Sequence, residues 1–186
     1  MGQRLIIKVK NFERTLASAY YHWSGYTASA YQLALIAIAT SYNKAPTLEN
    51  AIKILQATGA KLPKDELEKY VGLEFLENLG SENSEVHRNE GIIKITSKGI
   101  AENDFWGEAF VTIDLDSKTV FFDVFYMLEK REINDFDQNS VIEVDPLFRY
   151  MTFEEFINSG LLQMEPEDIV LKLKGDNDQR IIVAIH

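Results

Sequence analysis

The stretch that decides the fold runs from Thr15 to Tyr42, TLASAYYHWSGYTASAYQLALIAIATSY. Residues 15–23 are rich in β-branched and aromatic side chains and predict a strand. Residues 28–42 hold four large aliphatic side chains among five alanines, which predicts a helix buried on most sides. The residues between them, 24–27, favour a loop and a helix N-cap. The chain therefore passes from a strand directly into the central helix of the fold.

A first strand precedes this stretch. Apolar side chains recur at Leu5, Ile7 and Val9 within residues 4–10, the period of two that is typical of a half-buried strand. Residues 11–14 favour a turn. The two strands together predict an N-terminal hairpin.

Two further helices are predicted after the central one. Thr47 caps the first, which ends at Gly59, and Pro63 opens the second, which runs to about Leu79. Residues 80–91 are polar and aperiodic, so we expect a mobile connection there between a helical N-terminal part and a β-rich C-terminal part.

The C-terminal part carries mostly strand patterns. They lie at residues 92–96, 108–115, 119–128, 169–174 and 180–185, with a tight turn at 116–118 and a closing hairpin at the end. Residues 141–144 predict only a short edge strand, because Pro146 cannot continue a central ladder. Thr152 and Glu155 form a capping box for a short helix that stops at Gly160.

These patterns predict one α+β domain over residues 1–186. We expect an antiparallel sheet built of hairpins, with the buried alanine-rich helix and the two further helices packed on one side of it.

Composition narrows the cellular setting. The chain has 186 residues and no cysteine, which excludes disulfides and thiolate metal sites and favours a reducing compartment. No apolar run is long enough to span a bilayer, and the N-terminus lacks the pattern of a secretory signal. We expect a soluble cytoplasmic protein that does not bind membranes.

Charge is divided unevenly along the chain. The formal net charge is −10. Residues 1–48 carry five bases against one acid, whereas residues 101–186 carry seven bases against nineteen acids. Such a surface repels phosphate backbones, which disfavours nucleic acid as a partner except through the N-terminal part. It favours a basic partner.

The densest group of ligand-binding residue types lies where the second strand meets the central helix. Rings, an imidazole and hydroxyls occur together here, and the helix N-terminus favours anions. The candidate ligand-binding residues are Tyr21, His22, Trp23, Ser24, Tyr26 and Thr27, with Arg4 or Lys8 from the first strand supplying positive charge. The competing interpretation is structural: the rings belong to the core, and Ser24 and Thr27 only cap the helix.

The same N-terminal residues carry a family resemblance. Gly2-Gln3-Arg4-Leu5, Ala19-Tyr20-Tyr21-His22-Trp23-Ser24, Tyr26-Thr27 and Ser29-Ala30 resemble a group of uncharacterised small proteins encoded by phages and prophages of Gram-positive bacteria. The resemblance covers about the first thirty residues. It implies a phage accessory protein working inside a bacterial host, and it carries over no catalytic or binding residue.

Three other segments partly resemble functional sites. Glu108, Asp114, Asp116 and Asp123 would bind Mg²⁺ or form an acid–base pair if they shared a face, or else line a solvated sheet face. Residues 95–100 suggest a winged-helix wing but are explained by a β-turn. Residues 135–146 begin like a calcium loop, yet Ser140 replaces its glycine and Pro146 its last carboxylate.

Enzyme signatures are missing from the sequence. It contains no P-loop, no dinucleotide-binding glycine motif and no nucleophile elbow. Its three histidines, His22, His87 and His186, lie too far apart in sequence to suggest a zinc site. We therefore expect neither a metal nor a cofactor, and the sequence leaves catalysis open.

Three functions remain as hypotheses. The leading one is a protein–protein interaction in which an acidic sheet region presents exposed aromatics to a basic host or phage protein. Those aromatics are Phe105, Trp106, Phe136, Phe148 and Tyr150. The alternative is a small nucleotide- or anion-binding protein, or a hydrolase, with its site at residues 20–27. The third is self-association, most simply as a homodimer.

Overall fold

The structure is a computed structural model that describes residues 4–22, 24–25, 27–70, 72–80, 91–95, 107–127, 143–160, 163 and 183–184. For residues 27–29, 125–127, 143–149 and 183–184 it describes the backbone only. The strands are β1 (Leu5–Asn11), β2 (Arg14–Tyr21), β3 (Ile92–Ile95), β4 (Ala109–Asp114), β5 (Thr119–Met127), β6 (Glu143–Thr152) and β7 (Val183–Ala184). The helices are α1 (Thr27–Ser41), α2 (Leu48–Ala57), α3 (Lys64–Glu68) and α4 (Phe153–Asn158), with a 3₁₀ helix at Glu74–Leu79.

The described strands form one sheet in the order β3-β2-β1-β4-β5-β6-β7. The predicted α+β class and the N-terminal β1–β2 hairpin are confirmed. The sheet is mixed where the sequence predicted antiparallel pairing, because one of its pairs, β1 and β4, is parallel. Strand β3 pairs with β2 on the side away from β1. Strand β4 then pairs with the other side of β1 and runs in the same direction as β1. Such a parallel pair requires a crossover in place of a hairpin.

Asp114 ties the hairpin turns together at one end of the sheet. Its Oδ1 accepts hydrogen bonds from the backbone N–H groups of Phe12, Asp116 and Ser117. Phe12 lies in the β1–β2 turn with a positive φ of 55°, which is uncommon for a bulky residue. The carboxylate therefore holds this turn and the β4–β5 turn beside each other.

The core lies between the sheet and one helical layer. From α1, Tyr31 packs against Phe122 of β5 with ring centroids 5.0 Å apart, and Phe122 lies 6.2 Å from Phe156 of α4. Ala34 and Ala37 of α1 are fully buried, since small side chains let a helix approach a neighbour closely.

Helix α1 exposes one side only, among the side chains that the structure describes. Gln32, Ile36 and Ala39 form an exposed stripe, and Ile36 is 38% exposed. The prediction of burial on most sides is confirmed, because the other described side chains of α1 are buried or half-buried. The sheet covers one side of α1 and α2 covers another, which leaves this third side to solvent.

The helix predicted from Pro63 to about Leu79 is two shorter elements. Helix α3 ends at Glu68, and the 3₁₀ helix begins at Glu74. Between them Gly72 adopts a φ of +88°, a left-handed conformation that glycine adopts readily and that ends a helix. The amphipathic pattern identified the buried side but not this interruption.

Strand β6 is longer than expected. It continues through Pro146, which pairs with Phe125 of β5, so the prediction of a short strand ending at residue 144 is wrong. In the described residues β7 pairs only with Glu143 and Val144, so most of β6 behaves as an edge strand, where a missing N–H is tolerated. The capping box of Thr152 and Glu155 is confirmed at the start of α4. The remainder of the predicted closing hairpin lies outside the described residues.

Candidate functional site

Tyr21, the first candidate ligand-binding residue, lies in the protein interior. Its side chain is 2% exposed, and its hydroxyl donates to Oγ1 of Thr58. Tyr21 is the donor of this hydrogen bond because Thr58 donates its own hydroxyl proton to the carbonyl of Leu55 at 2.6 Å. A Cβ at Gly91 would overlap the Tyr21 ring, which shows how closely the backbone just before β3 packs against it. Burial raises the pKa of Tyr21 to about 12.

Tyr20 and His22 lie on the other side of the sheet. Successive residues of a strand point to opposite faces, so the neighbours of a core residue face away from the core. Tyr20 Oη lies 2.8 Å from His22 Nδ1, and their ring centroids are 6.1 Å apart. The structure therefore divides the candidate rings between the core and the opposite face.

Of the remaining candidates, Arg4 lies beside a carboxylate. The backbone N–H of Arg4 donates to Glu108 Oε2 at 3.0 Å, which brings negative charge to the N-terminal end of β1. Ser24 is half-buried, and α1 begins at Thr27. Trp23, Tyr26 and the side chain of Thr27 lie outside the described residues. A ligand at residues 20–27 therefore stays a prediction.

The sheet face turned away from the helices carries a second group of side chains. On β4 and β5 the residues alternate between buried side chains and partly exposed ones. The partly exposed side chains of this face are Phe110, Thr112, Asp114, Phe121 and Asp123. Lys8 of β1 lies on the same face, with its Nζ 5.3 Å from the centroid of the Phe110 ring.

Phe121 and Tyr150 form the most exposed part of this face. They are direct partners in the β5–β6 register, which places their Cβ atoms about 5 Å apart. Phe121 is 38% exposed and Tyr150 is 63% exposed. We call this pair the aromatic patch.

The sequence identified one half of the aromatic patch. Tyr150 is one of the five aromatics expected to be exposed, whereas Phe121 was missed. The alternation of Val120, Phe121 and Phe122 carried the signal, because one of two adjacent phenylalanines must face away from the core. Of the other expected aromatics, Phe105, Trp106, Phe136 and the side chain of Phe148 lie outside the described residues.

The fold separates Asp114 from Asp123, two of the four carboxylates that the sequence suggested as a group. Asp123 pairs with Phe110, and Asp114 lies four residues further along β4, which is roughly 13 Å away. Asp114 already accepts backbone hydrogen bonds, as does Glu108. Partial burial raises the pKa of Asp123. This arrangement supports neither a shared metal nor an acid–base pair between Asp114 and Asp123.

Comparisons with known proteins add no relative. No protein-family model, no curated protein and no solved structure matches the chain. Among the described residues, no helix is both long enough and apolar enough to cross a membrane.

Proposed function

We propose that this chain is a phage-type accessory protein that acts by protein–protein interaction in the cytoplasm of a bacterial host. Its partner is a basic host or phage protein, and the aromatic patch is the contact. The observation that supports this most directly is the exposure of two neighbouring rings, Phe121 and Tyr150, on a regular pair of strands.

Exposed rings in register favour protein binding for a physical reason. Aromatic side chains bury a large area with few rotatable bonds, so they supply much of the affinity of protein interfaces. A strand pair also holds them in fixed positions, so little conformational entropy is lost on binding. The patch is therefore ready to serve as an anchor.

The net charge of the chain segments that carry the patch favours a basic partner. The described segments 107–127 and 143–160 hold eight acids against two bases, a net charge of −6. Opposite charge on a partner speeds encounter and selects against acidic surfaces. The N-terminal resemblance to phage and prophage proteins supports the proposed setting.

The test is loss of binding when both rings are removed. Wild type and the Phe121→Ser/Tyr150→Ser variant are immobilised and exposed to lysate of a Gram-positive bacterium at low salt, and the bound proteins are identified by mass spectrometry. We expect a basic protein to be retained by wild type and, once purified, to bind the variant at least about tenfold more weakly.

A matched control removes two other exposed rings. Phe12 is 65% exposed and Tyr42 is 46% exposed, and both lie outside the patch. Phe12→Ser/Tyr42→Ser should retain the same partner with unchanged affinity. Equal binding by the patch variant, or no partner at low salt, would contradict the proposal.

A further inference from the structure

A second surface lies at the opposite edge of the sheet. Helix α3 packs beside β3, and between α3 and the 3₁₀ helix there is a groove of about 560 Å³. Its lining residues are Lys64, Leu67, Glu68, Tyr70, Leu73, Glu74, Glu77 and Asn78. Five strand spacings separate β3 from β6, so the groove lies roughly 24 Å from the aromatic patch. We call it the α3 groove.

The floor of the α3 groove is apolar and fixed. Leu67 is buried, and Tyr70 and Leu73 are half-buried and pack against the core. The hydroxyl of Tyr70 donates to the carbonyl of Ile95 in β3, so its ring is held in place against the sheet edge. A fixed apolar floor of this kind fits aliphatic side chains of a ligand.

The rim of the groove is acidic. Three exposed carboxylates, Glu68, Glu74 and Glu77, line it against one exposed ammonium, Lys64. The backbone N–H of Gly72 donates to Glu74 Oε1 at 3.3 Å, which holds that carboxylate at the end of the groove. The rim therefore attracts cations and repels phosphates and acidic proteins.

An exposed ring extends the apolar surface beyond the rim. Phe75 is 63% exposed. In a 3₁₀ helix residues three apart lie on the same side, so Phe75 lies on the same side as Asn78, which lines the groove. An aromatic side chain left in water beside an apolar groove is typical of an anchor residue in a binding surface.

We infer that the α3 groove is a docking site for a basic amphipathic segment of another protein. Aliphatic side chains of that segment occupy the floor formed by Leu67, Tyr70 and Leu73. Its lysines or arginines lie against the carboxylates of the rim, and its next apolar residue contacts Phe75. This site is separate from the aromatic patch, so substitutions at one surface leave the other intact.

The test uses a fluorescein-labelled amphipathic peptide that repeats Lys-Leu-Leu-Lys, and its affinity is measured by fluorescence anisotropy. The Glu68→Gln/Glu77→Gln variant removes two rim charges without changing side-chain volume. We expect it to bind the peptide about fivefold more weakly, and Phe75→Ser to weaken binding by a similar factor. In wild type, binding should also weaken as NaCl rises from 0.05 to 0.5 M because salt screens the rim.

A matched control carries the same change in net charge elsewhere. Glu13→Gln/Asp65→Asn alters two exposed carboxylates that do not line the groove, one of them on α3 itself. This variant should bind like wild type, and all variants should keep the wild-type melting temperature. If the control and rim variants weaken peptide binding equally, the effect comes from net charge alone, and the inference is overturned.

The other possible occupants give distinct results. If light scattering shows a dimer for wild type and a monomer for Phe75→Ser, a second copy of the chain fills the groove. Loss of peptide binding in Phe121→Ser/Tyr150→Ser with no loss in the rim variant would place the peptide on the aromatic patch. Either result would overturn the assignment of the α3 groove, and the second would leave the proposed function standing.

Discussion

At the scale of the residue, Tyr21 shows how a strand can place a polar aromatic in the core. Its ring fills the space above Gly91, and its hydroxyl is satisfied by Thr58. A buried hydroxyl without a partner would be costly, so Thr58 at the end of α2 is part of the same structural unit. Tyr21 is therefore a link between the sheet and α2 rather than a group presented to a ligand.

Substitution of this hydroxyl should lower stability and change its pH dependence. Tyr21→Phe is expected to lower the free energy of unfolding by about 1 kcal/mol at pH 7. Burial raises the folded-state pKa of Tyr21 from 10.0 to about 12, so the unfolded chain loses this proton first as the pH rises. The contribution of Tyr21 to stability is therefore complete below pH 10 and declines between pH 10 and 12.

Urea denaturation at pH 7 and across the alkaline range measures both effects. Tyr42→Phe, at an exposed position just after α1, serves as the control and should keep the wild-type free energy of unfolding. If Tyr21→Phe loses stability with pH as steeply as wild type, then Tyr21 is not the group responsible.

At the scale of the element, the outer edge of β3 is covered by the chain itself. The backbone carbonyl of Lys61 accepts from the N–H of Ile93, and its backbone N–H donates to the carbonyl of Gly91, both at 2.8 Å. Further along, Glu66 Oε1 accepts from the N–H of Ile95 at 3.2 Å. An uncovered edge strand invites pairing with other chains, so these contacts protect the protein against aggregation.

Glu66 holds this arrangement from α3. It is 5% exposed, and besides the N–H of Ile95 it accepts from Lys69 Nζ at 2.9 Å. The hydrogen bond to Glu66 raises the pKa of Lys69. Helical periodicity in the sequence does not show that the Glu66 carboxylate faces the edge of a strand.

Removal of this carboxylate should open the edge of β3. Glu66→Ala leaves the N–H of Ile95 without its acceptor, and we expect a loss of roughly 1–3 kcal/mol in the free energy of unfolding. Hydrogen exchange should be faster at the backbone N–H of Ile95. The variant should also have a greater tendency to aggregate. Glu68→Ala on the same helix is the exposed control, and equal exchange in the two variants would contradict the role assigned to Glu66.

At the scale of the whole molecule, β1 joins the two halves of the sequence. It pairs with β2 on one side and with β4 on the other. The core is shared in the same way, because Tyr31 from the first half packs on Phe122 from the second. A helical part and a β-rich part can be distinguished in the sequence, but the described sheet and core belong to both.

This sharing predicts that neither half folds alone. A fragment of residues 1–80 would expose one edge of β1 and the apolar side of α1, so we expect no cooperative transition in circular dichroism on heating. The full chain should unfold in one transition. A chain with residues 81–90 replaced by a Gly/Ser linker of equal length is the control and should also unfold in one. A cooperative melt of the isolated fragment would instead indicate two domains.

The two proposed docking surfaces also belong to this scale. The aromatic patch lies on β5 and β6, and the α3 groove lies beside β3 at the other edge. Neither is recognisable from a short motif. The aromatic patch combines side chains of two strands that pair in the sheet, whereas the α3 groove is formed by two consecutive helical elements that pack against each other.

The sequence by itself determined the local structure. Alternating apolar residues gave β1, β2, β4 and β5 nearly to the residue, and the cap residues Thr47 and Thr152 marked the starts of α2 and α4. Such features depend on neighbours within a few positions, whose sterics and hydrogen bonds a linear pattern contains. The sequence also identified Tyr150 as an exposed aromatic.

Only the tertiary structure decided strand order, edges and exposure. The parallel β1–β4 pair, the tolerance of Pro146 in β6 and the burial of Glu66 each depend on which distant segment lies alongside. The same holds for the separation of Tyr21 from its neighbouring rings. The period of two in a strand shows that its side chains alternate between two faces of the sheet. The free energy of burial depends on what covers each face, and residues far away in the chain provide that cover.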